Sequence, residues 1–159
     1  TMLVPVQYRR IMALPDFDAH DLGSFHMKFS TSAPFDAALK ADVLKRWPGG
    51  LVEFYGMTEG GGTCILNAHE FPDKLHTVGR PAPGSELKVL DDEDREVPPG
   101  TPGNLVGRSQ TMMSGYQNQP EKTREGYWID PEDGSVWQRM GDVGRLDATS
   151  GDPRLGKLN

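Results

Sequence analysis

Five consecutive positions, Tyr55-Gly56-Met57-Thr58-Glu59, bring together a flat aromatic ring, a hydroxyl and a carboxylate, and Gly60-Gly61-Gly62 follow at once. Thr58 can donate a hydrogen bond to a phosphate oxygen, Glu59 offers a hard carboxylate suited to magnesium, and Tyr55 presents a face for a purine. The glycines admit close backbone approach and unusual dihedrals. An apolar run that ends abruptly in such residues is how an α/β sheet meets a ligand beyond its strand ends. On spacing alone, a plain glycine-rich turn after a strand is nevertheless the stronger reading.

The elements that must hold this stretch are legible around it. Leu3, Val6, Ile11 and Leu14 recur at helical spacing, which places Pro5 in the opening turn because a later proline would break the hydrogen-bond ladder. Phe25 to Phe29 alternates as a strand does. Ser32, also a candidate cap, precedes a second helix with the apolar stripe Phe35, Ala38, Leu39, Val43 and Trp47, stopped by Pro48-Gly49-Gly50. Leu51 to Tyr55 follows as a strand. Helix and strand alternating in this way predict a parallel sheet with helical crossovers over residues 1–77. From residue 78 to 147 turn signals crowd together and short strands are expected at 86–90, 104–109 and 136–139, giving a β-rich, barrel-like portion. Residues 148–159 form a tail with no assignment. The acidic turn Asp91-Asp92-Glu93-Asp94 lacks the glycine and distal glutamate of a calcium loop, so a solvated hairpin turn is expected.

Bulk properties narrow the function. A formal net charge of −6 disfavours a nucleic-acid partner, since phosphate-backbone binding needs clustered Lys and Arg. The single cysteine, Cys64, excludes an internal disulfide and a cysteine-rich zinc site, so a reducing, cytoplasmic setting is expected. No apolar run of about 18 residues suggests membrane insertion. The four histidines lack paired-ligand spacing.

Further segments break the tie at the Tyr55 stretch. Tyr55 to Glu59 resembles the Tyr-Gly-x-Thr-Glu motif of the adenylate-forming superfamily of acyl-CoA synthetases, luciferases and peptide-synthetase adenylation domains. Gly79-Arg80-Pro81 is similar to that family's Val-Gly-Arg-Pro segment. Val97 to Arg108 resembles its Val-Pro-x-Gly-x-x-Gly-Glu-Leu hairpin, with Asn104 in place of glutamate, and Met113-Ser114-Gly115-Tyr116 its Met-x-Gly-Tyr continuation. Gly141-Asp142-Val143-Gly144-Arg145-Leu146-Asp147 resembles the Thr-Gly-Asp-x-Gly-x-x-Asp motif, with Met140 in place of threonine. The segments stand in the family's order.

The resemblance implies an α/β fold with a distorted-barrel portion, part of the family's large N-terminal domain. It also implies a two-step reaction: a carboxylate attacks the α-phosphate of ATP to give an acyl-adenylate and pyrophosphate, and the thiol of coenzyme A then displaces AMP. Thr58 would contact phosphate, Glu59 would bind Mg2+, Tyr55, Gly56 and Met57 would adjoin the nucleotide, and Asp142 would accept from both ribose hydroxyls. Ser32, Ala33 and Pro34 align with the family's adenine-pocket turn, with Thr31 and Ser32 where glycines are common. Fatty or aryl acids are the expected substrates. A peptide-synthetase adenylation fragment and a non-catalytic nucleotide-binding module stay open as alternatives. No phosphate loop ending in Pro-Lys-Gly precedes the first helix, and the family's hinge and catalytic lysine have no counterpart here, so no turnover is expected from these residues alone. A cut domain would expose apolar surface through which two copies could pair.

Overall fold

The computed structural model describes residues 1–147 and the backbone of residues 155–158. Two compact units divide the chain, the first comprising residues 1–55 and 65–79, the second residues 56–64 and those from 80 onward.

The first unit alternates strand and helix as the sequence predicts, with differences at the element ends. Strand β1 (Met2–Leu3) is followed by helix α1 (Pro5–Met12), β2 (Met27–Ser30), helix α2 (Ala37–Arg46) and β3 (Gly50–Gly56). β1 pairs with β2 and β2 with β3, both parallel, and β4 (Thr63–Asn67) lies next to β3. Leu3, expected in the helix, belongs to a strand instead. The helix begins at Pro5, whose fixed φ and missing N–H suit a first helical position, and Gln7 folds back to accept from the Val4 amide at 2.9 Å.

The second helix corrects another expectation. Ser32 does not cap it. Asp36 does, its carboxylate accepting from the Leu39 amide at 2.8 Å, while Ser32 sits four residues upstream with φ at 72°. Apolar faces of both helices close on the parallel strands. Tyr8, Val43, Leu51 and Leu66 are fully buried, and Trp47 meets Tyr8, Phe17 and Phe25 edge-on. Burial of each such side chain stabilises by roughly 1.5–3 kcal/mol.

Two lysines share that interior. Lys28 donates to the carbonyls of Trp47, Pro48 and Gly49, groups at the end of α2 that would otherwise lack donors. Lys40 pairs with Glu53 and donates to the carbonyls of Leu75 and Thr77.

The second unit is built on an antiparallel sheet. After β5 (Arg80–Pro81) come β6 (Ser85–Leu90), β7 (Gly103–Ser109), helix α3 (Pro120–Glu125), β8 (Tyr127–Ile129), β9 (Val136–Leu146) and β10 (Leu155–Leu158). The strand order is β10-β9-β7-β6, with β8 on β9, and the sheet curls as a half-barrel. Four residues of the expected tail thus form a strand, while residues 148–154 and 159 lie outside the described residues. Leu90, Val106, Trp128 and Trp137 form a buried cluster. Lys88 stands over both tryptophan rings and pairs with Asp130 and Glu96 at 2.8 Å each. The acidic turn closes on itself, Asp91 accepting from the Glu93 and Arg95 amides.

Candidate functional site

The second unit carries Thr58, Glu59 and Asp142. Residues 57–62 leave β3 as a turn, closed by the Gly60 amide donating to the Met57 carbonyl at 3.1 Å. Gly60 has φ at 77°, and a Cβ there would strike the Thr111 carbonyl. At Gly61 it would meet the Gln138 side chain at 2.8 Å, and Gly107 stacks so closely on the Gly61 carbonyl that no side chain fits. These glycines therefore let the turn lie against the chain's own residues.

Glu59 is gripped twice from one distant segment. Tyr116 Oη donates to Glu59 Oε1 at 2.8 Å, and the Met113 amide donates to the Glu59 carbonyl at 2.9 Å. Ser109 Oγ adds a bond of 2.6 Å to the Gly60 carbonyl. The Tyr116 phenol, helped by the positive charge of Lys122, holds the Glu59 carboxyl below its ordinary value, because a donor aimed at the carboxylate favours the ionised form. Conversely, the neighbouring carboxylate raises the Tyr116 phenol. Thr58 is exposed beside it.

Asp142 sits at a bulge. Val106 pairs with Arg139 and Asn104 with Val143, so Met140, Gly141 and Asp142 stand opposite Leu105 alone. Gly141 has φ at 71°, the left-handed conformation that glycine adopts without a Cβ penalty. Such a bulge bends the strand and re-aims side chains, and bulges concentrate beside active sites. Met140 is buried and Asp142 half-buried. The sequence predicts a short strand at 136–139 and a separate motif from Gly141; one strand, β9, runs through both as far as Leu146.

In the first unit, Ser32, Ala33 and Pro34 are exposed between β2 and α2, and Tyr55 is half-buried near the end of β3, beside Phe54, whose ring stacks on Phe29 at 6.0 Å. Gly56 follows, exposed, and Met57 is half-buried. Tyr116 was not among the residues expected at the site. Its motif was visible, but its partner is 57 positions away.

A family model described as AMP-binding enzyme matches residues 1–117. The chain belongs to the AMP-binding enzyme family. The matched span of this AMP-binding family member includes Ser32 to Pro34, Tyr55 to Glu59 and Tyr116, and ends before Asp142. The chain is 35% identical over 155 residues to 4-coumarate–CoA ligase-like 9 of Oryza sativa subsp. japonica, covering 91% of this chain and 27% of that protein. Its fold is similar to the amide bond synthetase McbA from Marinactinospora thermotolerans, at TM-score 0.84 and 28% identity, over 99% of this chain and 31% of that one. It is also similar to the anthranilate CoA ligase AuaEII in complex with anthranoyl-AMP, at TM-score 0.79 and 28% identity, over 98% and 28%. The chain spans under a third of the length of each of these proteins.

Proposed function

We propose that this chain carries the nucleotide-handling part of an acid–thiol ligase, which activates a carboxylic acid with ATP as an acyl-adenylate and transfers the acyl group to coenzyme A. The acid is of the fatty or aryl class. What supports the reading is membership of the AMP-binding family together with the fixed Glu59 turn. The names of two relatives, a 4-coumarate–CoA ligase-like protein and an anthranilate CoA ligase, support coenzyme A as acceptor and keep an aryl acid among the candidate substrates.

The site residues take the following roles in this proposal. Tyr55, Gly56 and Met57, with Ser32, Ala33 and Pro34, adjoin the adenine end of the nucleotide. Thr58 donates to a phosphate oxygen. Asp142, displaced from the regular ladder by its bulge, accepts from the two ribose hydroxyls, a task that suits one carboxylate with two oxygens.

Magnesium fits the donors available. Among the described residues no group of three or more His, Cys, Asp or Glu converges into a metal cage. Magnesium bound beside phosphates commonly uses one or two carboxylates and keeps water for the rest, and Glu59 is such a carboxylate. When bound, the ion would neutralise charge on the phosphates as the acid attacks.

These 159 residues alone are proposed to bind nucleotide without completing the reaction, since they span under a third of the length of the relatives they match. Pyrophosphate release with ATP, Mg2+ and a panel of fatty and aryl acids tests this. Release at the no-acid background is expected; acid-dependent release would refute the claim.

A further inference from the structure

We propose that Tyr116 is a positioning residue that holds the Glu59 carboxylate in the orientation in which it takes a magnesium ion beside the ATP phosphates, an inference resting on the nucleotide reading above. An unrestrained glutamate side chain samples many rotamers, and ordering one costs up to about 2 kcal/mol. Here the ordering precedes any ligand. The phenol donates to Oε1 at 2.8 Å, and the Met113 amide, three residues away from Tyr116, fixes the Glu59 carbonyl at 2.9 Å. Carboxylate and backbone of one residue are thus set by a single neighbouring segment. One phenolic donor occupies only one of about four lone-pair positions on a carboxylate, leaving others for a cation.

The tyrosine is itself held from three sides. Its amide donates to Thr123 Oγ1 at 2.9 Å, and that hydroxyl donates onward to the Gln119 carbonyl at 2.9 Å. Gly115, at φ 139°, passes so near Thr123 that a Cβ would lie 3.1 Å from its Oγ1. Lys122 Nζ lies 4.6 Å from the centroid of the ring. A cation over the ring draws density from the phenol and strengthens it as a donor. Tyr127 Oη secures the far end of the segment through the Met113 carbonyl at 3.2 Å. A tyrosine serving only to fill space would need neither the buttressed backbone nor a hydroxyl aimed at a carboxylate.

The test is Mn2+ binding to the chain in the presence of ATP, read from the electron paramagnetic resonance of the free ion against a chain-free Mn2+–ATP reference, with ATP affinity in EDTA and thermal unfolding measured alongside. Tyr116→Phe is expected to weaken Mn2+ roughly tenfold, the worth of a hydrogen bond to a charged group, while leaving metal-free ATP affinity unchanged. Glu59→Gln should lose Mn2+ at least as strongly. Mn2+ affinity within twofold of the unaltered chain for Tyr116→Phe, with Glu59→Gln impaired, would overturn the inference and leave the nucleotide reading standing. An equal loss of metal-free ATP affinity would overturn it too, by making Tyr116 a structural tie. Failure of the unaltered chain to bind Mn2+ with ATP would sink the nucleotide reading and this inference together. Should Tyr116→Phe not fold, the exposed Lys122→Met carries the comparison: a roughly threefold loss of Mn2+ affinity is expected, and none contradicts.

Discussion

Lys28 Nζ donates to the Gly49 carbonyl at 2.7 Å, and so ties the middle of the parallel sheet to the turn that ends α2 and launches β3. The Pro48 and Trp47 carbonyls accept from the same ammonium at 2.7 and 3.0 Å. Lys28→Met would leave these acceptors buried without their donor, so a loss of roughly 2–4 kcal/mol in urea unfolding at pH 7 is expected. A loss below about 1 kcal/mol would show that water replaces the lysine at little cost.

The same residue predicts a pH dependence. Burial pushes the Lys28 ammonium down from 10.5 to about 8. Between those values the unfolded chain holds a proton that the folded chain has released, so the stability contributed by this group rises with pH across the window. The stability gap between the unaltered chain and Lys28→Met should therefore widen from about pH 8 to 10.5. A gap that stays constant or narrows would contradict this.

Lys40 and Glu53 make a second buried charge, almost wholly removed from water. Taking away one partner strands the other, and Lys40→Met is expected to cost about 3–5 kcal/mol. Replacing both, as Lys40→Met with Glu53→Leu, should recover the part of that loss due to the stranded carboxylate, while the Leu75 and Thr77 carbonyls still lack the lysine. Urea titrations of the two single variants and the double variant give the coupling, and simple additivity would refute it.

Much of the first unit was legible in the sequence. Pro5 and the Pro48-Gly49-Gly50 stop act through local backbone sterics and the stripe from Phe35 to Trp47 through helical periodicity, so spacing located both helices to within a few residues. The cap was less legible, since Ser32 and Asp36 are both good caps and only the backbone path decides between them. Buried Lys28 and Lys40 were invisible, because lysine is almost never buried without partners and those partners are carbonyls and a carboxylate brought in by the fold. At the candidate site the Tyr55 to Glu59 stretch announced itself through residue type. Tyr116 did not: its role depends on one hydrogen bond across 57 positions. The bulge at Gly141 hid the continuity of β9, because displaced residues break the period-two pattern that marks a strand.

Gly107 offers a steric test of the Glu59 turn. A Cβ there would collide with the Gly61 carbonyl, whereas Gly84 and Gly134 have open space around them. Gly107→Ala should lower thermal stability by about 2 kcal/mol or more and weaken Mg2+–ATP binding by displacing the turn. Gly84→Ala and Gly134→Ala, at φ 79° and 72°, should cost only about 1–2 kcal/mol of backbone strain and leave nucleotide affinity alone. Equal effects at all three positions in calorimetry and thermal unfolding would contradict the close packing.

Titration calorimetry with AMP, on the unaltered chain and on Asp142→Ala, reads the central claim most directly. Saturable one-to-one binding is predicted, weakened tenfold or more when the ribose acceptor is removed. No heat of binding, or an affinity indifferent to Asp142→Ala, would contradict the account.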